Sequence, residues 1–167
     1  MPHFVRAGLR HDRWLDTEGR APLDLPADVL ADLRTTDNAL SVFEVTEIVS
    51  AERVAIALMA APGKKEPDHT AYAVFDRADV ERLGIPITKT SGDTIDAGAN
   101  SSHYDLNIGS GGKLLEFAAI IAGVAIVPIT KKRVAALLRA GFENGQLDHT
   151  RNPFLRAKVG AQIQTRL

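Results

Sequence analysis

Apolar side chains recur along this chain at two spacings, one typical of helices and one typical of strands. In residues 113–122 they follow the i, i+3, i+4, i+7 order of one helix face, at Leu114, Phe117, Ala118 and Ile121. Residues 103–108 alternate instead, with apolar side chains at every second position from Tyr104 and polar ones between them. These segments are the clearest predicted helix and the clearest predicted strand.

The remaining elements follow from the same two patterns, together with the positions of glycine and proline. Helices are predicted over residues 26–34, 54–60, 76–83, 113–122 and 131–140, with a last helix opening at Asn152-Pro153. In residues 54–60 the helix is favoured only slightly over a strand. Gly141 is expected to end the helix over residues 131–140. Strands are predicted over residues 40–49, 71–75, 103–108 and 124–129, the last of them buried, and residues 85–87 are expected to be extended.

Two stretches lack a regular pattern. Residues 1–25 are predicted to form an irregular N-terminal arm, with a short strand at 4–9 and with Trp14 as a core plug. Residues 88–102 are predicted to be a long polar loop, rich in Gly, Ser, Thr and Asp. The whole chain, 1–167, is expected to be one compact domain of α+β or α/β class. It should hold about five strands and five to six helices, and the pattern does not assign the strand order.

Composition excludes several classes of site. The chain has no cysteine, which excludes disulfides, thiolate metal ligands and cysteine nucleophiles. No cofactor fingerprint and no metal-binding motif occurs, so we expect neither a cofactor nor a metal. The most apolar stretch, residues 117–129, is shorter than the roughly 20 residues that span a bilayer. With no apolar leader at the start, we expect a cytoplasmic protein that does not contact membrane.

Charge is unevenly distributed, although the net charge is only −1. Residues 111–167 hold nine Lys and Arg but three Asp and Glu, whereas residues 1–110 hold eleven basic and eighteen acidic side chains. Either the basic end binds an anionic partner such as nucleic acid, or the two parts neutralise each other in the fold or in a homodimer. We favour neutralisation. The candidate basic patch is Lys131, Lys132, Arg133 and Arg139.

The glycine-rich turn between strand and helix is the first candidate site. Gly109, Ser110, Gly111, Gly112 and Lys113 stand where backbone N–H groups and a helix N-terminus could bind a phosphate or carboxylate. The Walker A spacing fails, because Asn107 and Leu114 occupy positions that need Gly and Ser or Thr. The simpler interpretation is a flexible turn.

The polar side of the strand at 103–108 is the second candidate. Alternation puts His103 and Asp105 on one face, where the carboxylate could orient the imidazole for proton transfer. Asp93 and Asp96 in the adjoining loop could fold back towards them. The simpler interpretation is a solvent-facing strand surface.

These features support three functional hypotheses and leave open whether the chain is an enzyme. The first is a binding or regulatory domain that acts through a protein partner or a second copy. The stripe Leu155, Val159, Ile163 and Leu167 would be its docking face. The second is a hydrolase or transferase acting on a phosphorylated or nucleotide-like substrate, with His103 and Asp105 catalytic and the glycine-rich turn holding the anion. The third is nucleic-acid binding through the basic patch.

Overall fold

A six-stranded antiparallel sheet carries helices on both faces, so the chain is a single compact α+β domain. The computed structural model describes residues 2–161, with the side chains of residues 48, 49 and 161 outside that description. The strands are β1 (His3–Leu9), β2 (Ala39–Val45), β3 (Thr70–Asp76), β4 (Ile87–Lys89), β5 (His103–Asn107) and β6 (Ile126–Ile129). The helices are α1 (Ala27–Leu30), α2 (Ile48–Met59), α3 (Arg77–Arg82), α4 (Ala97–Asn100), α5 (Gly111–Ala122), α6 (Lys131–Glu143) and α7 (Pro153–Ala161).

Strand order in the sheet is β4-β5-β2-β1-β3-β6, and every neighbouring pair is antiparallel. β1 therefore lies inside the sheet and corresponds to the short strand predicted at residues 4–9 of the N-terminal arm. Its alternation is broken because Gly8, at φ +81°, shifts the register between Ala7 and Leu9. As a result Val5 and Ala7 contact one core, while Phe4 and Leu9 contact the other.

Each face of the sheet has its own hydrophobic core. On the first face, called the α2 face, Phe43 and Tyr72 pack with the buried residues of α2, α6 and α7. On the second, called the α5 face, Phe4, Phe75 and Leu106 pack with α5 and with the turns of residues 11–33. Two covered faces explain why several strands lack a clean alternation of apolar and polar residues.

The N-terminal turns are fixed to the α5 face by Trp14, as predicted. Trp14 is buried, and its Nε1–H donates to Asp32 Oδ2 at 3.0 Å. Asp32 also accepts from the backbone N–H of Arg10 and from Arg13 Nη1. Burial lowers the pKa of the nearby Arg6 guanidinium to about 10, although the negative charge of Asp32 acts to raise it. A buried, fully bonded carboxylate thus holds the chain after β1 in place.

β6 is an edge strand, which corrects the prediction of a buried strand over residues 124–129. It pairs with β3 alone, and Val127 and Pro128 are exposed. Proline has no N–H to donate, so it suits a strand whose outer side has no partner. The apolar residues of 124–129 are typical of a buried strand. The strand is nevertheless partly exposed, because it lies at the edge of the sheet.

The segment predicted as a long polar loop, residues 88–102, contains the end of β4 and the short helix α4. Its polar side chains bond to nearby backbone. Asn100 Oδ1 accepts from the N–H and the hydroxyl of Thr94, and Asn100 Nδ2 donates to the Thr94 carbonyl. These local hydrogen bonds take the place of the regular backbone hydrogen bonds of a helix or strand. The segment is therefore ordered although its apolar residues follow no regular spacing.

The apolar stripe of the last helix, predicted to dock a partner, is not available for docking at its first two residues. Leu155 and Val159 are buried in the core of the α2 face, in contact with the domain itself. Ile163 and Leu167 lie outside the described residues.

Helix α6 continues through Gly141 to Glu143, where the sequence predicted that glycine would end it. A Cβ at Gly141 would lie 2.8 Å from Leu147 Cδ1 and Cγ, and Leu147 is buried. Glycine is therefore needed for close packing between the helix and the chain that follows it, and not for a turn.

Gly141→Ala should lower the free energy of unfolding by about 1–3 kcal/mol, because the methyl group overlaps the buried Leu147 side chain, which has to shift within a packed core. Gly160→Ala is the matched control. It also lies in a helix, but a Cβ there meets nothing within 4 Å, so alanine should stabilise by up to about 1 kcal/mol. Urea unfolding measures both, and equal effects of the two substitutions would contradict the packing role of Gly141.

Candidate functional site

His103 and Asp105 lie side by side on the α2 face of β5, but a threonine connects them. Thr90 Oγ1 donates to Asp105 Oδ2 at 2.9 Å and lies 2.8 Å from His103 Nδ1. A hydroxyl has one hydrogen, so a hydrogen bond from His103 to Thr90 beside the Thr90–Asp105 bond requires the tautomer of His103 that carries a proton on Nδ1. His103 Nε2 is 3.9 Å from Asp105 Oδ1, and the imidazole packs edge-on to Phe43. A catalytic role for the pair stays a prediction.

The glycine-rich turn lies away from this pair. Ser110 caps α5 by accepting the Lys113 N–H, and Lys113 Nζ donates to the Leu83 carbonyl and to Glu116. Gly109, Ser110, Gly111 and Gly112 are exposed. Because α5 covers the opposite face of the sheet from His103, the structure does not bring the two predicted parts of an enzyme site together. Anion binding at the turn stays a prediction.

Most of the basic patch has intramolecular partners. Arg133 donates to Glu52 with two nitrogens, and Lys131 Nζ lies 3.8 Å from Glu66. Arg139 donates from Nε and Nη2 to the carbonyl of Val159. These contacts agree with neutralisation within the fold, since acidic side chains of the first 110 residues pair with the basic end. Lys132 is exposed.

An ion pair between a buried carboxylate and a half-exposed guanidinium joins α2 to α4. The Asp96 side chain is fully buried and accepts from Arg53 Nε and Nη2, each at 2.6 Å. It also accepts from Gln146 Nε2 and from the backbone N–H groups of Gly98 and Ala99, which makes it the N-cap of α4. Five donors thus satisfy one carboxylate. The sequence analysis predicted that Asp96 folds back towards His103. The structure corrects this prediction, because the Asp96 side chain bonds Arg53 and Gln146 instead.

The environment of Asp96 lowers its pKa. Burial acts to raise it, but hydrogen bonds from Arg53, Ala99 and Gln146 outweigh burial. A carboxyl whose pKa is lower in the folded state stabilises the fold above its unfolded pKa of about 3.9, and loses that contribution as pH falls through the folded value.

We therefore expect the stability difference between the wild type and Asp96→Asn to be large at about pH 7 and to shrink below about pH 4. Urea unfolding of both proteins at several pH values measures this difference. A gap that stays constant down to strongly acidic pH would contradict the charged role of Asp96.

Only one sequence signal pointed to this pair. Asp96 followed by Gly98 and Ala99 is typical of a helix cap, which predicts a bond to backbone. Nothing local indicates Arg53, which lies 43 residues earlier and in a different element. The pairing depends on how α2 crosses the sheet, and therefore on the strand order.

Arg53 also lines a polar cleft of about 270 Å³ between α2, β4 and α4, called the Arg53 cleft. Its other lining residues are Glu44, Val45, Thr46, Ser50, Val54, Lys89, Gly98, Ala99, Ser101, Ser102 and Tyr104. A neighbouring cavity of about 410 Å³ between α2 and α6 shares Ser50 and Arg53 with it.

A larger open cavity, of about 570 Å³, lies on the α2 face at the corner of the sheet where Val74 is half-buried and Val127 is exposed; it is called the sheet-corner groove. Its apolar floor comes from three strands, with Val45 from β2, Tyr72 and Val74 from β3, and Val127 from β6; Val45 and Tyr72 are themselves buried. The other lining residues are His3, Thr46, Glu47, Phe75, Asp76, Asp79, Val124 and Ala125.

The charged residues of the sheet-corner groove are mostly acidic. Glu47, Asp76 and Asp79 lie around the apolar floor. Asp76 bonds His3 Nδ1 at 2.7 Å, and Asp79 pairs with the exposed Arg82. Exposed pairs of this kind are weak and are easily exchanged for another cation. The groove therefore combines an apolar surface with a negative rim.

Comparison with protein-family models, with curated proteins and with solved structures finds no match for this chain. Within residues 2–161, no three His, Asp or Glu side chains are grouped so that they could hold a metal ion. In the same part of the chain, no helix has both the length and the apolar character needed to cross a membrane.

Proposed function

We propose that this chain is a binding domain that docks a protein partner in the sheet-corner groove. The observation that carries the proposal is a groove whose apolar floor is only partly covered: Val74 is half-buried and Val127 is 37% exposed, although Val45 and Tyr72 beside them are buried. Sheet faces normally bury their apolar side chains against another layer, and most of both faces do so here. A second polypeptide would cover the exposed part around Val74 and Val127.

The chemistry of the groove favours one kind of partner, an extended segment with alternating apolar and basic side chains. Tyr72, Val74 and Asp76 point to the same side of β3 at every second residue, which matches the spacing of an extended chain. Apolar side chains of the segment would contact Val74 and Val127. Its Lys or Arg side chains would reach the carboxylates of Glu47, Asp76 and Asp79.

Side-chain contacts are expected to dominate over strand addition at β6. Pro128 removes one backbone donor from a strand of only four residues. The other two hypotheses have less support from the geometry. The parts of the predicted enzyme site lie on opposite faces of the sheet, and acidic side chains or a carbonyl already contact most of the basic patch.

A peptide-display selection on the wild-type domain tests the proposal. We expect enriched sequences to combine Lys or Arg with Val, Ile or Leu at alternate positions, and to bind more weakly to Glu47→Lys, since that change reverses one rim charge. Val127→Arg should also reduce binding, because it places a long cation on the apolar floor.

Leu23→Arg is the matched control for these variants. Leu23 is an exposed leucine, 85% accessible, and it does not line the groove. Enriched peptides that bind the three variants and the wild type equally would contradict docking in the groove. A selection that enriches acidic or purely polar peptides would do the same.

A further inference from the structure

The two partners of the Arg53–Asp96 ion pair differ in burial: the carboxylate lies inside the domain and the guanidinium lies at the surface. The Asp96 side chain is fully buried, whereas the Arg53 side chain is 44% exposed and lines the Arg53 cleft. Asp96 occupies Arg53 Nε and Nη2. Within the described residues Nη1 has no protein acceptor, so the guanidinium presents donors to the cleft from a fixed position.

Glycine at position 98 allows this arrangement. A Cβ at Gly98 would overlap the guanidinium of Arg53 and would lie 2.9 Å from its Cζ. The Arg53 side chain therefore lies directly over the backbone of α4. Contact on one side and two hydrogen bonds on the other restrict its rotamers, and a restricted side chain loses less entropy when it binds a ligand.

Further donors surround Arg53. Lys89 lines the cleft, with Nζ 5.5 Å from the centre of the Tyr104 ring, and Ser50 and Thr46 add hydroxyl groups. Among the described residues, Glu44 is the one carboxylate that lines the cleft, and Arg77 Nη1 lies 3.5 Å from it. With both acids paired, Lys89 leaves the cleft with a net positive charge.

We propose that the Arg53 cleft binds a small molecule through a carboxylate or phosphate group. Arg53 and Lys89 would bind the anionic oxygens, and Ser50 or Thr46 would donate to them. The volume of about 270 Å³ lies just below the usual range for drug-sized ligands, so the ligand has few atoms besides the anionic group. The proposal does not depend on partner docking in the sheet-corner groove.

Nuclear magnetic resonance (NMR) titration of ¹⁵N-labelled domain tests this site, with inorganic phosphate, succinate and sodium chloride at equal ionic strength. We expect the amide signals of Gly98, Ala99, Ser101 and Ser102 to shift and saturate with phosphate, with succinate or with both. Saturation with one of them alone identifies a phosphate or a carboxylate ligand. Equal shifts with sodium chloride, or no saturation, would overturn the proposal.

Lys89→Ala should raise the dissociation constant about tenfold, since a charge-assisted hydrogen bond contributes about 1.5 kcal/mol. Lys132→Ala is the matched control, an exposed lysine on α6 that does not line the cleft, and should leave the constant unchanged. Gly98→Ala, which displaces the guanidinium, should abolish saturation while the spectrum stays dispersed. If Gly98→Ala does not fold, Lys89→Ala decides: an unchanged constant in that variant would overturn the proposal.

Discussion

Asp96→Asn is expected to lower the free energy of unfolding by about 2–3 kcal/mol, because it weakens several charge-assisted hydrogen bonds to a buried side chain. The effect is smaller than that of breaking a fully buried ion pair, since the Arg53 side chain left behind is 44% exposed. The substitution preserves size and removes the charge that five donors bind. An amide nitrogen would also face at least one of those donors. For a chain of this length the melting temperature should fall by about 4 °C or more.

Asp93→Asn provides the control, since Asp93 lies three residues earlier and pairs with Arg151 in an exposed position. Removing an exposed pair typically costs less than about 1 kcal/mol. Urea unfolding of the wild type and the two variants gives the comparison. If Asp96→Asn changed stability no more than Asp93→Asn, the buried pair would not be the link between α2 and α4 that the geometry indicates.

Asn152→Ala is expected to cost about 2–4 kcal/mol, because this one buried side chain joins two helix ends. Its Oδ1 accepts the N–H of Leu155 and so caps the start of α7. Its Nδ2 lies within 3.1 Å of the carbonyls of Ala60, Ala61 and Lys64, at the end of α2 and in the turn after it. Alanine removes these bonds to the Leu155 N–H and to the Ala60 and Lys64 carbonyls, while the Ala61 carbonyl still accepts from the Lys64 N–H.

Asn152→Asp separates the two roles, since a carboxylate can still accept the Leu155 N–H but cannot donate to carbonyls. We expect it to be at least as destabilising as Asn152→Ala, because it places a negative charge beside three carbonyl oxygens. Asn144→Ala, at an exposed asparagine that accepts the Gln146 N–H, should have a small effect. Wild-type stability of Asn152→Asp in a thermal melt would contradict the joining role.

The pattern of apolar residues predicted the elements with clear periods. Helices over 54–60 and 113–122 correspond to α2 and α5, and the strands over 71–75 and 103–108 correspond to β3 and β5. The predicted class and single domain are confirmed. The short strand predicted at 4–9 corresponds to β1, but the bulge at Gly8 breaks its period of two, and its position inside the sheet was not predicted. The helix over 26–34 is reduced to α1, where tertiary packing of Val29 and Leu33 replaces further helical turns.

The candidate sites were less accessible to sequence reasoning, for a physical reason. Local spacing correctly put His103 and Asp105 on one face, since strand alternation is a local property. The Arg53 cleft and the sheet-corner groove each combine residues from several elements. Their assembly depends on strand order, which six short antiparallel strands do not reveal through any local period.

The most direct test of partner docking in the sheet-corner groove is an NMR titration of ¹⁵N-labelled domain with a peptide of alternating lysine and valine. We expect the shifted amides to cluster at residues 45–47, 72–79 and 124–127. We also expect the shifts to disappear in Val127→Arg and to persist in Leu23→Arg. Shifts spread over all acidic surface residues, or a Val127→Arg spectrum that responds as the wild type does, would contradict it.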